Sequence, residues 1–178
     1  MSDSEYGVQA LAMREEFDKT FALPPQPDPP ESVDLLVIRL RGDNFALRVM
    51  EIAGLLAGKK IIPLPGATPA LLGLAGIRGI LVPVWDLATL LGYAGQSRGA
   101  RWLVLGQGGS PWALAFEGFN GFFRMRLSEI HSGTSVEPDS GFIQESLALG
   151  GGGTSILSLP LILQAITRIS ESSQPRRK

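Results

Sequence analysis

Residues 74–92 read LAGIRGILVPVWDLATLLG, and the interpretation of the whole chain starts from this stretch. Two glycines enclose Arg78, which is typical of a tight turn with positive φ. The apolar run at 80–85 alternates β-branched with other residues, so we predict a strand buried on both faces. Pro83 lacks an N–H group and therefore predicts a sheet edge or a bulge. Asp86 precedes a short apolar helix and is predicted to be its N-cap.

The composition indicates a cytoplasmic globular protein. The chain has 178 residues, 44% of them hydrophobic, which is enough for one domain or two small lobes. It has no cysteine, which excludes disulfides and thiolate metal sites and fits a reducing cytoplasm. There is no signal-peptide pattern and no apolar run of the roughly 18 residues that direct membrane insertion requires. With a net charge of −1, the chain has a poor electrostatic footprint for nucleic acid.

Changes in composition divide the chain into three segments. Residues 1–32 combine a predicted amphipathic helix at 5–21 with a proline-rich linker. That helix either folds back on its own protein or docks on a partner, and the sequence leaves both open. Residues 33–170 have the short apolar runs and turn residues of a β domain. Residues 171–178 form a basic tail.

The β region contains an internal repeat. The triplet that begins at Phe45 aligns with the triplet that begins at Trp112. Further along, the segment that begins at Val84 aligns with the segment that begins at Ile156. A repeat with so long a period predicts two similar β lobes.

The repeat also bears on the role of Asp86, because its counterpart in the second half is Ser158. Asp and Ser share the ability to cap a helix but have little acid–base chemistry in common. A capping role for Asp86 is therefore favoured over a catalytic one.

Three further local patterns carry predictions. Residues 69–74 are predicted to form a helical turn that leads into the central stretch. Asn120-Gly121 is a hairpin signal flanked by four phenylalanines, which either fill the core of a small lobe or form a patch for a partner. Four consecutive glycines at 150–153 predict a flexible turn, because they lack the Lys-Ser/Thr of a phosphate loop.

No pattern in the sequence indicates a catalytic site. His131 is the only histidine, it lies in a polar stretch read as a loop, and no nucleophile-elbow motif accompanies it. One histidine and scattered carboxylates are a poor ligand set for zinc. We therefore predict no catalytic residue, no metal and no cofactor, and expect a binding function.

Residues 76–87 resemble the central motif of CheW-like domains, the coupling proteins of bacterial chemosensory arrays. Order and spacing match the family pattern at six positions: Arg78, Gly79, Pro83, Val84, Asp86 and Leu87. Gly76 stands where the family usually has Asn. The resemblance covers about residues 33–166 and implies a mostly β fold of two SH3-like five-stranded β-barrel lobes with short helices. It also implies a protein without enzyme activity.

The resemblance implies a contact with the regulatory domain of a CheA-type histidine kinase. In the family, the contacting segment commonly reads Val, any residue, Glu, Ile. Carried over by position, it falls on residues 52–55 of this chain. Ile52 and Leu55 keep the apolar positions, and Gly54 replaces the acid.

The second implied partner is the cytoplasmic tip of a methyl-accepting chemoreceptor. Arg78, between Gly76 and Gly79, falls on the motif arginine that is associated with the receptor-facing side. Its role there is either direct contact or holding the local backbone, and an arginine fork suits both.

Three other functions stay open. One is a divergent CheW-like scaffold, for example of a surface-motility system, that binds only one partner. A small-molecule sensor would use the cleft between the lobes. A nucleic-acid-binding β-barrel would need a basic face with exposed aromatic residues.

Overall fold

The computed structural model describes residues 31–95, 102–108, 110–133 and 141–172. The predicted N-terminal helix at 5–21, the proline-rich linker and most of the predicted basic tail lie outside these ranges. The strands and helices are β1 (Ser32–Leu40), β2 (Asp43–Arg48), β3 (Ile52–Ala57), β4 (Ile61–Ile62), β5 (Leu71–Ile77), β6 (Ile80–Asp86), α1 (Leu87–Leu90), β7 (Trp102–Gly106), β8 (Ala113–Phe116), β9 (Gly118–Arg126), β10 (Ile130–Ser132), β11 (Ile143–Leu149), β12 (Gly152–Leu157) and α2 (Leu159–Ser172).

The strands form two sheets, and the predicted mostly β class is confirmed. The first sheet has the order β10-β11-β12-β2-β1-β9, and the second has the order β3-β7-β8-β6-β5-β4. Each sheet has six strands in the described part of the chain, where five were expected. In each sheet, one of the six strands is a very short edge strand. This strand is β10 in the first sheet and β4 in the second.

Each sheet is built from both halves of the chain. The first sheet combines β1 and β2 with β9 to β12, and the second combines β3 to β6 with β7 and β8. The halves meet in two parallel ladders, in which Ala46 pairs with Ile156 and Ala113 pairs with Val84. The repeat relates these ladders to each other, because it aligns Ala46 with Ala113 and Val84 with Ile156. The predicted repeat is therefore confirmed, but the lobes do not follow one another along the chain.

One core joins the two sheets. It is the largest group of buried apolar residues in the described part of the chain and includes Phe45 from the first sheet, Trp85 from the second, Trp112 from the segment just before β8, and Ile162 from α2. Burying a side chain of this kind stabilises the fold by about 1.5–3 kcal/mol. Because both sheets and α2 contribute to this core, the two lobes stabilise each other.

The residues before the two helices occupy equivalent places. The backbone N–H of Asp86 donates to the carbonyl of Ala70 at 2.8 Å, and that of Ser158 donates to the carbonyl of Phe142 at 2.9 Å. Ser158 caps α2, because its Oγ accepts a long hydrogen bond of 3.5 Å from the N–H of Leu161.

Asp86 stands at the N-cap position of α1, as predicted, and is fully buried. Its side chain, however, makes no capping hydrogen bond to the backbone of the helix. Instead its Oδ2 accepts a hydrogen bond of 2.6 Å from the hydroxyl of Thr89, one turn into the helix. The carboxylate of Asp86 therefore binds the first turn of α1 through the side chain of Thr89 and not through a backbone N–H group.

Several local predictions are wrong. Most of the predicted helical turn at 69–74 belongs to β5, because this segment pairs with β6 on one side and β4 on the other. Asn120 and Gly121 lie inside β9, where the pairing with β1 shifts between Val37 and Ile38, so the hairpin signal marks a β-bulge. His131 lies on β10 and not in a loop.

Pro83 does not lie at a sheet edge, because β6 is an interior strand between β5 and β8. Pro83 pairs with Leu74 of β5, whereas the ladder with β8 begins only at Val84. The proline therefore stands where the second ladder has not yet started, and its missing N–H removes no bond from that ladder. The irregularity in this region lies on the partner strand, between Leu71 and Gly73.

Candidate functional site

The turn between β5 and β6 consists of Arg78 and Gly79 alone, since Ile77 pairs with Ile80. Their φ angles are 50° and 81°, the arrangement of a type I′ hairpin turn. Gly76 lies inside β5 and pairs with Leu81. The predicted positive φ is therefore found at Gly79 but not at Gly76, and Arg78 adopts it as well.

The equivalent turn in the second half joins β11 and β12. It consists of Gly150 and Gly151, with φ angles of 62° and 83°, and the alignment of Val84 with Ile156 places them opposite Arg78 and Gly79. The predicted turn at 150–153 is confirmed for its first two glycines, and the other two belong to β12. A non-glycine residue in the left-handed region costs roughly 1–2 kcal/mol. Arg78 thus occupies a position where glycine would be more stable.

The exposed guanidinium of Arg78 has no hydrogen bond or ion pair within the described part of the chain. Arg41 offers a contrast, because it occupies the same place in a turn, with a φ of 53°. Its side chain donates to the carbonyl of Gly95 at 2.7 Å and lies 3.7 Å from a carboxylate oxygen of Glu117. The backbone-holding role considered for Arg78 therefore has a counterpart at Arg41, whereas the Arg78 side chain is available to a partner.

Apolar side chains surround the Arg78 turn on the surface. Ile80 is 51% exposed and Leu81 is 65% exposed, so the prediction of a strand buried on both faces is wrong at its start. It is confirmed at the end of the strand, where the neighbouring residues Val84 and Trp85, which point to opposite faces, are 0% and 3% exposed. Leu81 faces Gly76 across the ladder, and since glycine has no side chain, its position on β5 leaves Leu81 uncovered. We call Arg78, Ile80 and Leu81 the turn patch.

Ile52, Gly54 and Leu55 lie on β3, at the opposite edge of the second sheet from β4. Ile52 and Leu55 are half-buried and pack against the core that joins the sheets. A Cβ at Gly54 would lie 3.5 Å from Cδ1 of Leu105, an ordinary contact. The structure therefore brings these three residues together but keeps them apart from the turn patch, because β7 and β8 lie between β3 and β6.

A repeated motif next to β3 was missed by the sequence analysis. Residues 48–52 read Arg-Val-Met-Glu-Ile, and residues 126–130 read Arg-Leu-Ser-Glu-Ile. In both places three residues form a 3-10 turn, Val49–Glu51 and Leu127–Glu129, and a strand follows at the isoleucine. The pattern Val, any residue, Glu, Ile fits residues 49–52 without a departure. A comparison of the two halves that aligned their Arg–Glu–Ile positions would have found it.

Each of the two 3-10 turns exposes an apolar residue and holds its glutamate by a hydrogen bond from a backbone N–H. Met50 is 73% exposed and Leu127 is 44% exposed. Glu51 accepts a hydrogen bond of 3.0 Å from the backbone N–H of Leu159, at the start of α2. Burial raises the pKa of Glu51, while the hydrogen bond from Leu159 and the charge of Arg48 lower it by less. In the second turn, Glu129 accepts a hydrogen bond of 3.0 Å from the N–H of Arg126.

The phenylalanines near Asn120 divide between core and surface. Phe116 is fully buried, whereas Phe122 is 59% exposed. Phe119 connects two sheets, because its ring centroid lies 5.3 Å from that of Trp102 and 5.6 Å from that of Phe122. Of the two alternatives considered, a core filler and a surface patch, the first therefore applies to Phe116 and the second to Phe122.

His131 and the scattered carboxylates were the other candidates for chemistry. His131 is exposed and pairs with Ser146 on β11. Within the described ranges, no three residues of the types His, Cys, Asp and Glu come together as metal ligands would. In the same ranges, no helix has the length and apolar character needed to cross a membrane.

Comparison with known proteins identifies the family. The family model described as CheW-like domain matches residues 34–167, which is most of the chain. The chain therefore belongs to the CheW-like family, a family of non-enzymatic scaffold and adaptor proteins of chemotaxis-type signalling.

Among solved structures, the chain is similar to the crystal structure of the scaffolding protein TtCheW from Thermoanaerobacter tengcongensis. The TM-score is 0.64 at 16% sequence identity, over 71% of this chain and 89% of that chain. At this identity the match shows that the fold is shared. The chain matches no curated protein sequence.

Proposed function

We propose that the protein is a cytoplasmic adaptor without enzyme activity that couples a CheA-type histidine kinase to methyl-accepting chemoreceptors. One observation carries this proposal: the residues implied for the two partners lie on separate parts of the second sheet, with β7 and β8 between them. A coupling protein has to hold two partners at once. Two separate apolar faces meet that requirement, because occupation of one leaves the other open.

The kinase regulatory domain binds at the face formed by Met50, Ile52 and Leu55. Met50 supplies exposed apolar area, and the half-buried Ile52 and Leu55 are fixed by the core beneath them. A few residues usually contribute most of the binding free energy at a protein interface, so loss of one anchor should have a large effect. Gly54 lies between the two anchors and adds no side chain there.

The receptor tip binds at the turn patch. Arg78 offers a planar set of donors for carboxylates or backbone carbonyls, and Ile80 and Leu81 offer apolar area beside it. Gly79 permits the turn, and Gly76 leaves Leu81 accessible. The left-handed backbone of Arg78 supports this assignment, since strained residues persist where their side chains have a function.

Calorimetric titration with the regulatory domain of the CheA-type kinase from the same genome tests the first contact. We expect micromolar binding that Ile52→Asp abolishes and that Met50→Asp weakens about tenfold or more. Met50→Asp is included because its exposed position makes unfolding a poor explanation for the loss. Ala57→Asp, an exposed position at the end of β3, is the matched control.

Co-sedimentation with receptor arrays tests the second contact. Arg78→Ala should reduce recruitment to receptors and leave kinase binding unchanged, while Met50→Asp should do the opposite. A folded wild-type protein that fails to bind the kinase domain at hundreds of micromolar would refute the coupling role. Receptor binding without kinase binding would leave a scaffold with a single partner.

A further inference from the structure

An apolar cavity of about 460 Å³ lies between the second sheet and helix α2. Leu71, Leu74 and Pro83 line it from the sheet, and Leu163 and Ile166 line it from the helix. Small-molecule sites in proteins commonly have volumes of roughly 300–1,000 Å³ and a predominantly apolar lining. By size and lining, the cavity is of the kind that holds a small molecule.

Two tryptophans in the wall have unused hydrogen-bond donors. The Nε1 atoms of Trp85 and Trp112 are buried and have no hydrogen-bond partner in the described part of the chain. Both residues line the cavity, and each is only 3% exposed. An indole N–H can donate but cannot accept. A buried donor without an acceptor is unfavourable, so the wall has an unmet requirement for an acceptor.

Two of the hydroxyl groups around the cavity already donate hydrogen bonds. Thr167 and Ser170, at the exposed side, donate to the carbonyls of Leu163 and Ile166 at 2.9 Å each. Their protons are therefore committed to the helix. The hydroxyl of Thr68 lies in the wall and, like the two indoles, has no partner among the described residues.

The cavity wall carries no charge, because none of its described lining residues is Asp, Glu, Lys, Arg or His. An ionised ligand group would remain unpaired in apolar surroundings, which is strongly unfavourable. The acceptor that satisfies the indoles is therefore a neutral oxygen. A carbonyl oxygen fits, since it accepts hydrogen bonds without a charge.

We propose that this cavity binds a small neutral molecule with an apolar body and a carbonyl oxygen that accepts a hydrogen bond from Trp85 or Trp112. The site depends on the second sheet and α2 and not on the adaptor role, so either proposal can fail alone. Because the two nitrogen atoms lie behind the cavity surface, a bound carbonyl must draw an indole toward it. Binding should therefore change the environment of that indole N–H.

Nuclear magnetic resonance of the full chain tests the proposal, because the three tryptophans give three indole N–H signals. Acetophenone is the probe, and toluene is the matched compound without the carbonyl. We expect acetophenone to move the Trp85 or Trp112 signal downfield, as a new hydrogen bond does, and to leave Trp102, which does not line the cavity, in place. Toluene should bind without the downfield change.

Two variants of helix α2 locate the binding. Thr167→Phe places a ring at the exposed side of the cavity and should weaken acetophenone binding about tenfold or more. Gln164→Phe adds the same ring at an exposed position on α2 that does not line the cavity, and should leave binding unchanged. Ser170→Phe is a second block, for use if Thr167→Phe does not fold.

Three results would overturn the proposal. The Trp85 and Trp112 signals could stay in place at saturating acetophenone. All three indole signals could move together, which would mean non-specific association. Acetophenone could also bind the cavity-blocking variant as tightly as it binds Gln164→Phe, which would place the compound elsewhere.

Discussion

The indole ring of Trp112 lies so close to Gly106 that a Cβ at residue 106 would overlap the ring. Gly106 ends β7, and Trp112 stands just before β8, so the contact closes the connection between these two strands. Trp112 also belongs to the core that joins the sheets. The glycine thus fixes the position of a ring on which both the core and the cavity beside α2 depend.

Gly106→Ala is expected to destabilise the fold by about 1–3 kcal/mol, because the added methyl group forces the Trp112 ring or the backbone to move. Urea denaturation measures the free energy of unfolding. Gly152→Ala is the control, since a Cβ there has no atom within 4 Å. Equal stability of the two variants would show that the Trp112 ring moves aside freely.

Gly76→Thr is expected to stabilise the protein by about 0.5–1 kcal/mol, because glycine is unfavourable inside a strand and a Cβ at residue 76 meets open space. The new side chain should also cover Leu81 and weaken receptor binding. Gly79→Thr should destabilise the fold instead, since its φ of 81° does not suit a β-branched residue. Thermal denaturation and receptor co-sedimentation of both variants check this, and stabilisation by Gly79→Thr would contradict the assigned turn.

Arg78→Gly is expected to separate stability from function. It removes the left-handed strain at residue 78 and should raise the free energy of unfolding by up to about 1 kcal/mol, although the more flexible unfolded chain offsets part of the gain. Receptor recruitment should fall at the same time. Arg41→Gly is the comparison, because it also removes contacts to Gly95 and Glu117 and should therefore not stabilise. Unchanged recruitment with Arg78→Gly would remove this residue from the receptor face.

The half-buried Glu51 should make stability depend on pH. Its pKa is raised above the ordinary value of 4.5, chiefly by burial, so the folded state binds the proton more tightly than the unfolded state does. The contribution of this group is therefore fully present below pH 4.5 and is lost as the pH rises through the raised pKa. Glu51→Gln keeps an acceptor for Leu159 without the charge and should flatten this part of the profile. Denaturant unfolding between about pH 4 and pH 7 measures the difference, and parallel profiles would show that Glu51 is not responsible.

Hydrophobic pattern and motif spacing predicted the class of fold and several of its parts. The spacing from Arg78 to Leu87 indicated the family, and the alignment of the two halves predicted two similar β lobes. Asp86 and Ser158 were placed correctly before their helices, since capping depends on a few neighbouring residues. The motif at 48–52 could also have been found in the sequence, because it recurs at 126–130.

Other features were beyond reach because they depend on pairing between distant segments. Residues 71–74 resemble a helical turn by local composition, but the ladder with β6 holds them extended. Asn120 and Gly121 have the local chemistry of a hairpin, yet the neighbouring β1 keeps the chain straight through a bulge. Pro83 predicted a sheet edge or a bulge, whereas the structure accommodates it in an interior strand because the β8 ladder starts one residue later.

By itself, the sequence determined the family, the mostly β class, the internal repeat and the positions of the helix caps, since all of these follow from local pattern and spacing. Only the tertiary structure decided that each sheet combines strands from both halves of the chain and that Leu81 is uncovered. It also decided that two tryptophans that line an apolar cavity have buried N–H groups without acceptors among the described residues. The physical reason is that burial and hydrogen-bond satisfaction depend on which distant segments meet. A linear pattern specifies what each segment can form but not which partner it finds.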